Sequence, residues 1–427
     1  MFSAEYRYLR PLKAASLKQM YATPYKRREE LEVWRGEKAT VFPLREFPGD
    51  GTLFGRAGVL NSDGKYVELS GMDGKIFGSY PLKSTEYRDE TVVYCGYLVN
   101  HWGHYLIEGI ARLWYCLEND PTVDKYVFVL DENENREVAG NHRELLQLLN
   151  IWDKVEIINR PITYKEVIVP EPGTRVLRYW SPKFVRMLDT IAENVVPDPS
   201  WVPKEKIFFT RSNFAKDNGY EFGLESMDNF FSVNGFEVLA PEKIPLSQTI
   251  FYIRNATEIA SISGSTPHNM LFAKDGQNLI MMERLVMNDD CQLNVNLIRQ
   301  LHVTHVDANY HLYPVDWCGP YIVGYNDILQ RFIDDRHMLP PDPCYTSKKY
   351  LDKCIRQYLF SYRDNYQYRW FMSDWYSCIT DTIWEAYKDS YPYFEPYLLR
   401  KKPFLKEQYF QFHYWKQFIK WLIRYDK

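Results

Sequence analysis

At 427 residues and 51.0 kDa the chain exceeds what one hydrophobic core usually holds, so two domains are expected. An apolar share of 45% with 34 Tyr, 24 Phe and 12 Trp excludes disorder over most of the length, because aromatic burial offsets chain entropy. The net charge of −4 provides no global field for nucleic acid.

The first thirty residues carry Lys13, Lys18, Lys26, Arg27 and Arg28 among aromatics and read as a helical arm. Glycines 55, 58, 64, 71, 74 and 78 break the next stretch into hairpins or irregular strands. From residue 91 the pattern alternates. Strands are predicted at 91–95, 126–130, 155–158 and 166–169, and helices at 100–118, 141–149 and 182–195. Pro197, Pro199 and Pro203 then mark a boundary, since proline fixes φ and withholds a donor. Beyond it strands at 206–210, 236–239, 258–262 and 278–282 alternate with helices at 223–233, 246–254 and 267–274.

Such alternation implies parallel sheets with right-handed crossovers. The expected organisation is therefore α/β and bilobal, with a cleft between the lobes. Residues 1–90 belong to the first lobe as an arm and a β-rich segment. Residues 91–200 and 201–300 form two Rossmann-like units, and 301–427 form an aromatic-rich helical extension.

No signal-peptide pattern opens the chain, and no run approaches the roughly 20 apolar residues of a membrane span. Seven scattered cysteines without a C-x-x-C spacing suit a reducing compartment, so a cytoplasmic location is expected.

Chemistry concentrates in Asn100-His-Trp-Gly-His-Tyr-Leu-Ile-Glu108 and the residues that follow it. On a helix, His101, His104, Glu108 and Arg112 share one quadrant, opposite the core stripe of Leu106, Ile110, Leu113 and Leu117. A carboxylate one turn from an imidazole suits proton abstraction near neutral pH, with either His104 or Glu108 as the base. A second cluster, Ile262-Ser-Gly-Ser-Thr-Pro-His-Asn269, follows a predicted strand and opens a helix, with Thr266 as N-cap and Pro267 at the first position. Its free amides, with Ser263, Gly264 and Ser265, make an anion site. Arg211 and Glu283 each end a strand, where a phosphate and a ribose respectively would bind.

His302 and His305 tempt a metal reading, but on a strand they point to opposite faces, and no metal site is expected. A basic amphipathic helix at 404–424, with Trp415 and Phe418 opposite Lys416 and Lys420, suits either a membrane surface or packing onto a lobe.

In this order the segments resemble glycosyltransferase family 61. The resemblance rests on Asn100-His-Trp-Gly-His104 with Glu108; on Phe-Thr-Arg211 followed by Glu225; on the run from Gly235 to Ile259 leading to the small-residue loop and Asn269; and on Glu283. It covers roughly residues 90 to 285. Where many members have His-Gly-Ala or His-Gly-Ser, this chain has Ser263-Gly264-Ser265, and His268 lies five residues on.

The resemblance implies a GT-B architecture, with the nucleotide-sugar held mainly by the second lobe and the acceptor facing the first. It implies inverting transfer without an obligatory metal or other cofactor, in the synthesis of bacterial capsule or surface polysaccharide. His104 and Glu108 are then the candidate catalytic pair, and Asn100, His101 and Arg112 support them. Arg211, Glu225, the loop residues Ser263, Gly264, Ser265, Thr266, His268 and Asn269, and Glu283 hold the donor, a nucleotide-sugar expected to be UDP-linked. The acceptor is a glycan or a lipid-linked glycan, reached at the inner face of a membrane. The alternative is a non-catalytic scaffold that binds nucleotide or glycan, motivated by the missing loop histidine and the aromatic content.

Overall fold

The computed structural model describes residues 2–23, 25–47, 51–72, 74–214, 221–285, 288–310 and 320–364. In chain order the main elements are β1 (Ser3–Tyr8), α1 (Pro11–Ala22), β2 (Val33–Arg45), β3 (Arg56–Leu60) and β4 (Glu86–Tyr97). After a broken helical stretch over 102–118 come β5 (Lys125–Val129), α2 (Gly140–Leu148), β6 (Val155–Ile158), β7 (Ile162–Pro170) and α3 (Pro182–Glu193). The chain continues with β8 (Lys206–Phe209), α4 (Leu224–Val233), β9 (Glu237–Leu239), α5 (Leu246–Asn255), β10 (Glu258–Ile262) and β11 (Asn278–Glu283). Last are α6 (Asp290–Ile298), β12 (His302–Asp307), α7 (Asp327–Arg336) and α8 (Lys348–Asp364).

Two six-stranded sheets organise these elements. The first has the order β3-β2-β7-β4-β5-β6, parallel from β7 onward, with β2 and β3 added antiparallel at one edge. The second has the order β1-β12-β11-β10-β8-β9 and is parallel throughout. Its central strands are short, apolar and buried, as strands covered on both faces require: Ile207, Phe208, Phe209, Ile259, Ala260 and Ile262 are all fully inaccessible. In each sheet the connections change direction once, at β4/β7 in the first and at β8/β10 in the second. Crevices at the carboxyl ends of such strand pairs are where open parallel sheets bind ligands.

Two expectations are corrected here. Residues 1–90 do not all belong with the first sheet: β1 pairs in parallel with β12 and completes the second. The segment from 301 is likewise not purely helical, because β12 pairs with β11 over six positions. Neither strand stands out in the sequence, since β1 (Ser-Ala-Glu-Tyr-Arg-Tyr) is a polar edge with mostly half-buried residues. The predicted helix at 404–424 lies outside the described residues. Among the described residues, no helix is long and apolar enough to cross a membrane.

The two sheets do not stand apart across an open cleft either. One continuous apolar core runs from Val93, Phe128 and Ile168 of the first sheet, through Leu145, Leu188 and Ile250 on the helices between, to Ile207, Ile259 and Leu279 of the second. The exposed Pro-rich segment 197–203 therefore links two units that share buried surface.

Arm helix α1 lies over the carboxyl ends of β11 and β12 and is tied there by buried charges. Lys13 Nζ donates to Glu283 Oε2 at 3.1 Å and to the Leu285 carbonyl, and His305 Nδ1 lies 2.7 Å from the other Glu283 oxygen. Arg10 pairs with fully buried Asp307 at 2.9 Å. Burial by itself would raise the Glu283 carboxyl, but Lys13 and His305 outweigh it and hold the group below its usual range. Removing one partner of such a pair strands a buried charge. Lys13→Met is therefore expected to lower unfolding stability by about 3–5 kcal/mol in urea titrations. A loss below about 1 kcal/mol would show that the arm is docked by other contacts.

Candidate active site

The segment that carries His101, His104 and Glu108 is not a regular helix. A single α-turn, Trp102–His104, runs into a widened turn over Tyr105–Gly109, in which the Ile110 amide donates to the carbonyl of Tyr105 at 3.0 Å. A tighter 3₁₀ stretch follows over Leu113–Glu118. Such widened turns absorb an extra residue and recur at functional sites. They also rotate everything downstream. Arg112 consequently leaves the polar face, becomes 3% exposed, and donates to the carbonyls of Leu69 and Gly71 at 2.6 and 2.9 Å.

His104 and Glu108 do come together. Nδ1 of His104 lies 2.8 Å from Glu108 Oε2, and the Lys75 ammonium pairs with Oε1 of the same carboxylate. Lys75 comes from the glycine-rich stretch, where no local pattern marked it. Burial would raise the Glu108 carboxyl, yet the His104 hydrogen bond and the Lys75 charge hold it below the usual carboxylate range. An ionised carboxylate with both oxygens occupied is a poor proton acceptor and a good anchor. Its contact with Nδ1 orients the imidazole and leaves Nε2 as the nitrogen able to take a proton. His101 is exposed, its ring centroid 5.1 Å from that of His104, and Asn100 is exposed beside it.

The turn that carries these imidazoles meets the second sheet at a close contact. A Cβ built on Gly103 would lie 2.6 Å from His268 Nδ1 and 2.9 Å from Ser265 Cβ. The Trp102 indole donates to Asn269 Oδ1 at 3.0 Å, and Asn269 in turn donates to the Thr266 carbonyl at 2.8 Å. Asn269, expected to touch the donor, is thus committed to joining the two halves. Partial burial of the His101 ring lowers its affinity for a proton, and the positive fields of His104, His268 and Arg211 act in the same direction.

At the β8/β10 crevice the chain turns through Ser263-Gly264-Ser265. Gly264 sits at φ +130°, and a Cβ there would be 2.6 Å from Arg284 Nη2 and 3.3 Å from Arg211 Nη1. Only glycine admits two guanidiniums so close to the backbone. Arg211 donates through Nε and Nη2 to Glu221 and through Nη1 to Thr266 Oγ1 at 3.0 Å. Arg284 is pinned by Ser263, whose carbonyl accepts from Nε and whose hydroxyl accepts from the backbone amide at 2.9 Å. Arg284 Nη1 approaches Glu221 Oε1 to 3.1 Å as an ion pair, but is not aligned for a hydrogen bond and has no other hydrogen-bond partner among the described residues. Two buried cations thus share one carboxylate.

The anion site expected from a helix start needs correction. Residues 266–272 form a short 3₁₀ stretch with no side-chain cap, and Thr266 accepts from Arg211 instead of capping. The positive charge at this turn comes from guanidiniums. The sequence pointed to one of them and missed Arg284, the residue next to the acid it chose. Glu283 has both oxygens engaged by Lys13 and His305, so neither is left for a ribose. Glu225 is exposed on α4 and accepts from Tyr350 of α8 at 3.0 Å. His302 is exposed and His305 buried on the opposite face of β12, as strand geometry requires. His268 lies with Nε2 3.7 Å from Asp289 Oδ2, and neither ring nitrogen is hydrogen-bonded. The other Asp289 oxygen caps α6 through the amides of Cys291 and Gln292.

Residues 102–280 match the family model described as Glycosyltransferase 61. The match supports that family and, with it, glycosyltransferase activity. It begins at the Trp102 turn and ends within β11, so it takes in His104, Glu108, Arg211 and the 263–269 turn, while Lys75, Glu283, Arg284 and Asp289 lie outside it. No curated protein matches the chain.

Two tests address this geometry. Gly103→Ala forces a methyl against Ser265 and His268 and is expected to cost about 1–3 kcal/mol of stability, read as a fall in melting temperature. His142, packed against Trp102 and Tyr105, is pushed down to about 4 chiefly by burial. The unfolded imidazole binds its proton near 6.5, so the His142 contribution is complete above about pH 6.5. It is lost as the pH falls towards 4. His142→Gln should flatten the stability profile over that window; an unchanged profile would assign the acid sensitivity to other groups.

Proposed function

We propose that the protein is an inverting, nucleotide-sugar-dependent glycosyltransferase, its two sheets serving as GT-B-like lobes. The observation that carries this reading is the Gly264 turn. There two buried guanidiniums balanced by a single carboxylate lie at a topological switch point, across from the His101–His104 pair. Charge that develops on a departing diphosphate is stabilised by donors fixed in advance in a dry site. Arg284, with an unspent Nη1, and Arg211 supply that charge, so the reaction proceeds without an obligatory metal.

His104 takes the proton of the acceptor hydroxyl on Nε2 as that oxygen attacks the anomeric carbon. Glu108 holds the imidazole in orientation, and Lys75 keeps Glu108 ionised. The new glycosidic bond forms on the face opposite the leaving group, which departs as the nucleoside diphosphate. The acceptor is a glycan or lipid-linked glycan of a surface polysaccharide, worked on in the cytoplasm at the inner face of the membrane.

His104→Ala is expected to cut turnover by about two to four orders of magnitude and Glu108→Gln by less, with the fold retained. UDP, the first nucleotide to try, should raise the melting temperature of the parent and of both variants, but not of Arg284→Ala. Absence of any nucleotide effect or turnover across a donor panel would remove the transferase reading. Nucleotide stabilisation without turnover would favour the binding scaffold, the reading motivated by serine at position 263.

Adhesion through 404–424 rests on Lys406, Lys416, Lys420 and Arg424, each cation adding about 1 kcal/mol near anionic lipid. Truncation before Pro403 should abolish co-sedimentation with anionic vesicles and spare UDP binding. A truncated chain that fails to fold would make this segment a packing element.

A further inference from the structure

A cavity of about 360 Å³ lies at the carboxyl end of the β4/β7 pair, and the start of α6 contributes to its lining. Its lining includes Lys75, Arg112, Arg175 and Arg178 together with the acids Glu108, Asp289 and Asp290. It opens on the same Glu108 that orients His104, so whatever fills it stands beside the proposed base.

The charges are unevenly matched. Lys75 is offset by Glu108. Among the described residues no acid offsets Arg112: it is 3% exposed, its Nη2 donates to two backbone carbonyls, and its buried Nε has no hydrogen-bond partner there. Arg175 adds to the positive field on Arg112. A guanidinium buried without a carboxylate is a standing cost in free energy, and a like charge nearby increases it. A compact anion in the cavity removes both. Guanidiniums are also the side chains best shaped to bind carboxylate or phosphate through paired donors.

We infer that the cavity is the acceptor subsite and that the acceptor glycan carries an anionic group, a carboxylate or a phosphate on the sugar being extended, bound by Arg112, Arg175 and Arg178. This rests on the transferase reading above. The anion sits against the arginines, and the acids of the lining accept from the sugar's hydroxyls. The hydroxyl to be glycosylated is thereby turned towards His104. No bond is made at the arginines; they position the acceptor.

The test uses the full chain saturated with UDP, so that the Arg211–Arg284 turn is occupied, at constant ionic strength. Inorganic phosphate, glucuronate and uncharged glucose are compared as ligands by thermal shift and calorimetry. Phosphate or glucuronate is expected to bind at least tenfold more tightly than glucose, and which of the two does so identifies the anion. The double variant Arg175→Gln/Arg178→Gln should lose at least tenfold in that affinity and keep its UDP shift. If the double variant does not fold, Arg178→Gln, at an exposed position, reads the same loss. Equal binding of glucose and the anions, or undiminished anion binding by the variant, overturns the acceptor inference while the UDP shift leaves the donor reading standing. If UDP has no effect but the anions still bind through Arg175 and Arg178, the anion site stands and the donor reading falls.

Discussion

The absence of a side chain at Gly103 is the constraint on which the site depends. The turn Trp102–His104 ends one sheet's crevice and the turn 265–269 ends the other's, and the two meet at van der Waals distance only because nothing projects between them. Trp102 and Asn269 lock the contact with a hydrogen bond. From it follows the placement of the other groups: His101 and His104 on one side, Arg211, Arg284 and His268 on the other, close enough for their fields to act on one another. Active sites at the carboxyl ends of parallel strands are commonly assembled from separate loops. Here two such ends are pressed together over a common apolar core.

The buried charges around this contact fall into two kinds, and the difference separates structure from chemistry. Lys13, Glu283 and His305 form a closed set in which both carboxylate oxygens are engaged and Tyr21 lies 3.3 Å from the remaining imidazole nitrogen. Such a set docks the arm and has no capacity left for a ligand. Arg211 and Arg284 form an open set: two cations, one carboxylate and a donor without an acceptor. Native structures pair their buried donors, so an unspent one on a charged group argues for something that arrives later. By the same argument, ribose binding at Glu283 is disfavoured, although strand position alone suggested it.

Much of the α/β framework is legible in the sequence because buried parallel strands are short apolar runs between helical periods, and nearly every run from 126 to 282 reads that way. Strands β1 and β12 were missed for the same reason in reverse: one is polar and half-exposed, and the other lies within a segment rich in Tyr, Trp and Arg. The His104–Glu108 pair is legible because four residues is one turn in either helix type. The Arg112 assignment fails because the widened turn at 105–109 has no sequence mark and shifts every later residue by about 100°. Lys75 and Glu221 could not be read at all. Lys75 reaches Glu108 across 33 residues and Glu221 joins Arg211 to the distant Arg284, and neither lies in a local pattern.

The shared core also limits how such a site can work. Lobes joined only by a linker close by swinging about a hinge. Here Leu145, Leu188 and Ile250 bury the interface between the sheets, and opening it would expose apolar surface at about 25 cal/mol per Å². A swing exposing even a few hundred Å² is thus costly at every turnover. The polar side of the contact is held differently, by one indole hydrogen bond, by the close approach of Gly103 to His268 and Ser265, and by the His268–Asp289 ion pair at 3.7 Å beside it. Any rearrangement at this contact therefore belongs to the loops at the strand ends, over a core that stays closed.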